Sequence, residues 1–151
     1  MIIDKENICK SINIFHDGTI CDFKELSNGI RIKIDCYYLS SRINAEFESF
    51  YIDILNPSIF EFMPWPDNGF SRKRISDLAI VGKWEFNIFS CKIENEICQI
   101  DLEIENPKTA MIGGVLNFEC KAIRIYDQSK SEMRFKELVK LSEDYWAEFK
   151  K

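Results

Sequence analysis

The chain has 151 residues, a hydrophobic content of 46% and a formal net charge of −5 at pH 7. This length and apolarity exclude a disordered chain and favour a single domain over residues 1–151. The acidic balance argues against nucleic acid as a partner, because a phosphate backbone selects clustered Lys and Arg. With no visible signal peptide and no run of roughly 18 apolar residues, we expect a cytoplasmic protein that does not enter a membrane.

At the N-terminus, apolar residues at helical spacing predict a short helix over residues 4–14. The sequence His16-Asp17-Gly18 then indicates a tight turn, in which we expect Gly18 to supply a positive φ. After this turn, alternation of apolar and polar residues predicts strands, because alternate side chains of a strand point to opposite faces. Seven strands are expected, at about 19–26, 30–39, 45–55, 59–63, 84–93, 97–105 and 115–126.

Two of these strands change phase along their length. Phe86 and Ile88 share one face, whereas Phe89 and Cys91 continue on the other, and the segment 115–126 behaves in the same way. A change of phase within a strand is typical of a β-bulge, which bends a sheet. We therefore expect an α+β protein dominated by antiparallel β, with about seven strands in a strongly bent sheet, either a sandwich or an open barrel.

The last part of the chain has a helical pattern. Ser129 and Glu132 fit a capping box, which predicts an amphipathic helix of about 20 residues covering the sheet. Earlier in the chain, residues 76–81 fit either one helical turn or a short strand.

The six cysteines are expected to be free thiols. Cys36, Cys98 and Cys120 each occupy an apolar position of an alternating segment, as a small hydrophobic residue would. No pair has C-x-x-C spacing and the chain has a single histidine, which argues against zinc. We expect neither a metal nor another cofactor.

His16 and Asp17 are the one place where a histidine could perform acid–base chemistry, with the carboxylate orienting the ring. A nucleophile would also be required, and the nearest hydroxyl, that of Thr19, has no motif around it. We favour a structural turn and assign no catalytic residue. His16 and Asp17 are retained as candidate binding residues.

Two further features are candidates for binding. Trp65 lies between Pro64 and Pro66, and it either plugs the edge of the core or projects as an anchor for a partner. Asp101, Glu103 and Glu105 alternate on the outer face of one strand. They form either an ordinary solvated face or an acidic patch that meets a basic partner.

The arrangement Phe15-His16-Asp17-Gly18-Thr19-Ile20, opening a run of alternating strands, resembles one seen in small bacterial proteins of unassigned function. So does the ending Ile123-Arg124-Ile125-Tyr126 before a helix that carries Tyr145-Trp146. The overall plan is similar to that of β-rich immunity proteins of bacterial polymorphic toxin systems. This resemblance implies a small, acidic, cytoplasmic protein without catalytic residues.

The leading functional hypothesis is therefore a non-enzymatic binding protein, of the immunity type, that neutralises a toxin domain by direct protein–protein binding. A small-ligand carrier with a pocket inside the bent sheet is the alternative, together with a purely structural or interaction role. An enzyme centred on His16 and Asp17 ranks below these. The sequence gives no indication of oligomeric state.

Overall fold

The computed structural model describes residues 1–65, 73–107 and 111–150. The strands in these ranges are β1 Thr19–Leu26, β2 Gly29–Asp35, β3 Ser49–Leu55, β4 Ile59–Pro64, β5 Phe86–Glu94, β6 Ile97–Ile104, β7 Gly113–Glu119, β8 Ala122–Asp127 and β9 Glu132–Met133. The helices are α1 Lys5–Ile14, α2 Tyr37–Ser40, α3 Leu78–Val81 and α4 Phe135–Ala147, followed by a 3₁₀ turn at Glu148–Lys150.

The strands form one antiparallel sheet in the order β4-β7-β6-β5-β1-β2-β3-β8-β9. β4 and β9 lie at its two edges, so the sheet is open and does not close into a barrel. The predicted α+β class, with its N-terminal and C-terminal helices, is confirmed. The described residues form nine strands rather than about seven.

The sheet is strongly curled. Phe23 of β1 and Phe60 of β4 are in edge contact at a centroid distance of 6.3 Å. These strands are four positions apart in the sheet, and a flat sheet would separate them by about 19 Å. Phe62 and Phe86 likewise meet at 5.0 Å. The concave face therefore encloses the core, in which Phe15, Phe50 and Phe118 are also fully buried.

Strand β5 pairs with β6 on one side, whereas on its other side it pairs with β1 at only two positions. Helix α1 contacts β5 on this second side and supplies hydrogen-bond partners for its backbone. The side-chain amide of Asn13 donates to the Cys91 carbonyl oxygen at 2.9 Å, and its oxygen accepts the Cys91 amide hydrogen with 2.7 Å between heavy atoms. The Cys9 thiol donates to the same carbonyl at 3.0 Å. Asp4 caps the helix by accepting the Asn7 amide hydrogen, with 3.1 Å between heavy atoms.

The predicted long strand at 115–126 is wrong, because it is two strands. β7 ends at Glu119 and pairs with β4 and β6, whereas β8 begins at Ala122 and pairs with β3 and β9. The change of phase marks a crossing from one end of the sheet towards the other. In β5 the same signal does mark a bulge, since the register shifts between Ile88 and Ser90.

The predicted strand 30–39 also ends early, at Asp35. The Cys36 carbonyl oxygen accepts the amide hydrogens of Leu39, at 3.2 Å, and Ser40, at 3.0 Å, so the chain enters α2. Cys36 and Leu39 are both buried and lie three residues apart, on one side of this helical turn. Cys36 also continues the alternation of buried residues from Ile34, so the sequence pattern alone does not show where the strand ends.

The sequence of residues 76–81 fits either one helical turn or a short strand, and in the structure these residues contain the helical turn α3. The Asp77 carboxylate accepts the Ala79 amide hydrogen at 2.9 Å and so begins the turn.

The C-terminal helix begins later than the capping box at Ser129 and Glu132 predicts. The buried Asp127 carboxylate accepts both the amide and the hydroxyl hydrogens of Ser129, which holds that residue in a turn. Glu132 belongs to β9. Helix α4 instead begins after Arg134, whose amide donates to the Glu137 carboxylate at 3.3 Å.

Helix α4 has 13 residues rather than about 20. Leu138 is fully buried, and the half-buried residues that pack beside it on the core are Phe135, Leu141 and Tyr145. In the part of the chain that the structure describes, no helix has the length and apolarity needed to cross a membrane.

Candidate functional site

The structure brings Trp65 and the acidic row of β6 onto one outer face of the sheet. The Trp65 amide donates to the Gly113 carbonyl at 3.0 Å. Gly113 pairs with Glu103, and its neighbour on that face, Val115, pairs with Asp101. A Cβ on Gly113 would lie 2.6 Å from Cζ3 of Trp65, so the indole occupies the space above this glycine. We call this surface the acidic face; its members are Met63, Trp65, Asp101, Glu103, Glu105 and Val115.

The carboxylates of the acidic face have no basic partner in the described part of the chain. Within residues 1–65, 73–107 and 111–150, Asp101, Glu103 and Glu105 form no ion pair. Asp101 accepts one hydrogen bond, from the Ser90 hydroxyl at 3.4 Å. Some acidic residues elsewhere are paired, as in Glu96 with Lys5, Glu137 with Arg134 and Glu148 with Arg42, whereas others, such as Glu46, form no ion pair among the described residues.

Apolar groups accompany these charges. Met63 pairs with Val115, and both side chains are half-buried. Phe89, at the β5 bulge, is 61% exposed and precedes Ser90, which pairs with Asp101. An exposed phenyl ring and a half-buried indole therefore lie close to charges of one sign, a combination that also occurs at protein interfaces.

Trp65 is half-buried and closes the end of β4. Its amide extends the ladder by one hydrogen bond, to the Gly113 carbonyl oxygen, although Trp65 has a proline on each side in the sequence. The indole lies over Gly113 on the outer face, beside Glu103, and half-burial leaves part of the ring accessible.

Two glycines that the sequence did not mark as functional create this arrangement. A Cβ on Gly114 would lie 2.7 Å from Cζ of Phe62, and a Cβ on Gly113 would meet Trp65. One glycine admits a ring on the inner face of the sheet, and the other admits a ring on the outer face. Paired glycines opposite aromatic residues are the signal that could have located the site.

His16 and Asp17 lie elsewhere and do not join the acidic face. Nδ1 of His16 is 3.0 Å from the Asn13 carbonyl oxygen, which can only accept, so this nitrogen carries a proton. The ring stacks on Trp146 with centroids 5.5 Å apart. Nε2 is 3.9 Å from the Asp17 carboxylate, beyond hydrogen-bond distance. The Thr19 hydroxyl donates to Asn87 rather than to this pair.

The geometry of the turn differs from the prediction at Gly18. The positive φ belongs to Asp17, at 66°, and not to Gly18. Gly18 is required for space, because a Cβ there would lie 2.8 Å from the Phe15 carbonyl oxygen and 3.0 Å from Cγ2 of Ile34. The arrangement supports a structural turn.

A second cluster on the outer face was not foreseen from the sequence. Arg31 forms two hydrogen bonds with Asp53, at 2.7 and 2.9 Å, and Asp53 is only 5% exposed. The guanidinium lies over the rings of Tyr51 and Tyr126, at 5.7 and 5.5 Å. The Asp53 carboxylate raises the pKa of Arg31. Because each charge has its partner, we read this cluster as structural.

Among the residues that the structure describes, no three His, Cys, Asp or Glu side chains are placed to hold a metal ion. Comparison of the chain with protein-family models, with curated proteins and with solved structures finds no match.

Proposed function

We propose that this chain is a non-enzymatic binding protein whose acidic face docks on a basic surface of a partner protein. The observation that carries the proposal is the juxtaposition of Trp65 with Glu103 and Asp101, whose charges are not neutralised within the described chain. Tryptophan is a frequent anchor residue at protein interfaces. Complementary charge accelerates association and selects against wrong partners.

In its most concrete form, the partner is a toxin domain and the chain is its cytoplasmic immunity protein, which blocks the toxin by covering a basic surface. The small size and acidic balance of the chain support this form of the proposal. The resemblance in plan to β-rich immunity proteins supports it as well.

The two alternatives are less well supported. A carrier requires open space inside the curled sheet, and the concave face is filled by buried rings such as Phe62 and Phe86. An enzyme at His16 requires a nucleophile next to the ring, whereas the nearby Thr19 hydroxyl is engaged with Asn87.

The test is co-expression with the product of a neighbouring reading frame that arrests growth when expressed alone. We expect the chain to restore growth, and we expect calorimetry of the purified pair to give a Kd that rises with salt. Glu103→Lys should raise that Kd at least about tenfold, because it places like charges opposite each other.

The matched control is Glu46→Lys, which makes the same charge change at an exposed residue remote from β6 and outside any ion pair of the described chain. It should leave the Kd and growth rescue unchanged. If both reversals weaken binding equally, the effect is one of net charge and the acidic face is not the docking surface. If a complex forms without growth rescue, the protein-binding proposal stands and the immunity form of it fails.

A further inference from the structure

Strand β1 has a second edge that is largely without a strand partner, although α3 packs near part of it. It pairs with β2 along its whole length but with β5 only at Thr19 and Ile20. In the described part of the chain, Cys21 to Leu26 therefore have a strand on one side only. An unpaired strand edge is a template for another extended chain.

The register identifies the backbone groups that this edge presents. Leu26 and Gly29 close a two-residue loop, so they form a hydrogen-bonded pair, and such pairs alternate along an antiparallel ladder. Phe23 and Glu25 thus direct their amide hydrogens and carbonyl oxygens away from β2. Neither makes a backbone hydrogen bond to a turn or loop among the described residues.

A cleft of about 670 Å³ lies beside the end of this edge, within the size range of ligand sites. The lining residues on which the argument depends are Glu25, Leu26, Pro57, Phe60, Asp77 and Leu78. One wall is fixed by the Asn56 amide, which donates to the Asn28 carbonyl oxygen at 2.8 Å. The opposite wall is the beginning of α3, fixed by the Asp77 cap on Ala79.

The lining selects a particular kind of chain. Glu25 is exposed and forms no ion pair within the described ranges, and the Asp77 carboxylate is exposed beside it in the lining. Phe60 and Leu78 are half-buried apolar groups. Every second side chain of an extended peptide points to the same side, so two alternate residues facing this cleft can place a basic group at the carboxylates and an apolar group at Phe60.

We propose that the free edge of β1 and its cleft form a β-strand addition site, which binds an extended segment of a partner protein that carries Lys or Arg. The segment's backbone pairs with Phe23 and Glu25, and its basic side chains face Glu25 and Asp77. This site is separate from the acidic face and does not depend on the function proposed for that face.

The experiment selects phage-displayed random heptapeptides on the full-length chain. Enriched peptides are synthesised in an unmodified form and in a form N-methylated at alternate amides, which removes the backbone donors but keeps the side chains. We expect enrichment of Lys and Arg, and at least tenfold weaker binding after N-methylation, measured by fluorescence anisotropy. Amide NMR shifts should fall on residues 23–30 and 76–79.

Two variants of β1 locate the binding. Glu25→Lys should weaken the unmodified peptides at least tenfold, whereas Asp22→Lys, the same charge change on the opposite face of the strand, should not. Glu103→Lys should also leave peptide binding unchanged, which separates this site from the acidic face. Failure to enrich any peptide, equal binding to Glu25→Lys, or indifference to N-methylation would each overturn the proposal.

Discussion

Asn13 offers the sharpest test of how the fold is held together. Its side-chain amide bonds both the amide hydrogen and the carbonyl oxygen of Cys91, at 2.7 and 2.9 Å, on the side of β5 that faces away from β6. Asn13→Leu preserves the size of the side chain approximately and removes both bonds. Among the described residues, the Cys91 amide then has no partner on that side, whereas the Cys91 carbonyl oxygen keeps the bond from the Cys9 thiol.

The cost follows from the two backbone groups that lose a partner. Leaving a buried polar group unsatisfied costs about 1–3 kcal/mol, and Asn13 is half-buried, so water compensates in part. We therefore expect the free energy of unfolding to fall by about 2–4 kcal/mol, the lower part of the summed range. For a chain of this size, that corresponds to a loss of roughly 5–15 °C in Tm.

The assay is urea unfolding followed by circular dichroism, with Lys10→Leu as the control. Lys10 is exposed on the same helix, and Lys and Leu have similar helix propensities, so its replacement should change stability by less than about 0.5 kcal/mol. If Asn13→Leu were as stable as Lys10→Leu, α1 would not be acting as the partner of β5.

Three further outcomes are expected. Gly29→Ala should destabilise the chain by more than about 2 kcal/mol in urea unfolding, because its Cβ would lie 2.0 Å from the Ile54 carbonyl oxygen; wild-type stability would contradict the close approach. Asp17→Gly should stabilise the chain by about 0.5–1 kcal/mol, since Asp17 has a φ of 66° and an 84% exposed carboxylate; a loss of stability would show that the carboxylate has a role. Burial raises the pKa of Cys36 to about 11, so its reaction with a thiol reagent at pH 8 should be at least about 100-fold slower than that of a free peptide thiol and should accelerate on unfolding; immediate reaction of the native protein would refute this.

The sequence predicts those features of the fold that depend on neighbouring residues. The strand 19–26 is found with the predicted bounds, because the alternation of apolar and polar residues is a local signal. The bulge in β5 is also local. The split between β7 and β8 could not be predicted, since a change of phase looks the same whether the strand bulges or the chain crosses to another part of the sheet.

The candidate site was also predictable only where it depends on neighbouring residues in the sequence. Alternation places Asp101 and Glu103 on an outer face, as the structure finds. Their proximity to Trp65 depends on the order β4-β7-β6, in which β4 and β7 are far apart in sequence. The helix cap was mispredicted at Ser129 because the Asp127 carboxylate competes for the same donors, and that competition follows from tertiary burial.

Hydrogen–deuterium exchange of the complex with the co-expressed partner tests the central claim most directly. If the acidic face is the docking surface, protection on binding should fall on β6, β7 and the end of β4 at Trp65, with little change at α4 or around His16. Protection confined to α4 and the His16 turn, with β6 and β7 unaffected, would contradict the account.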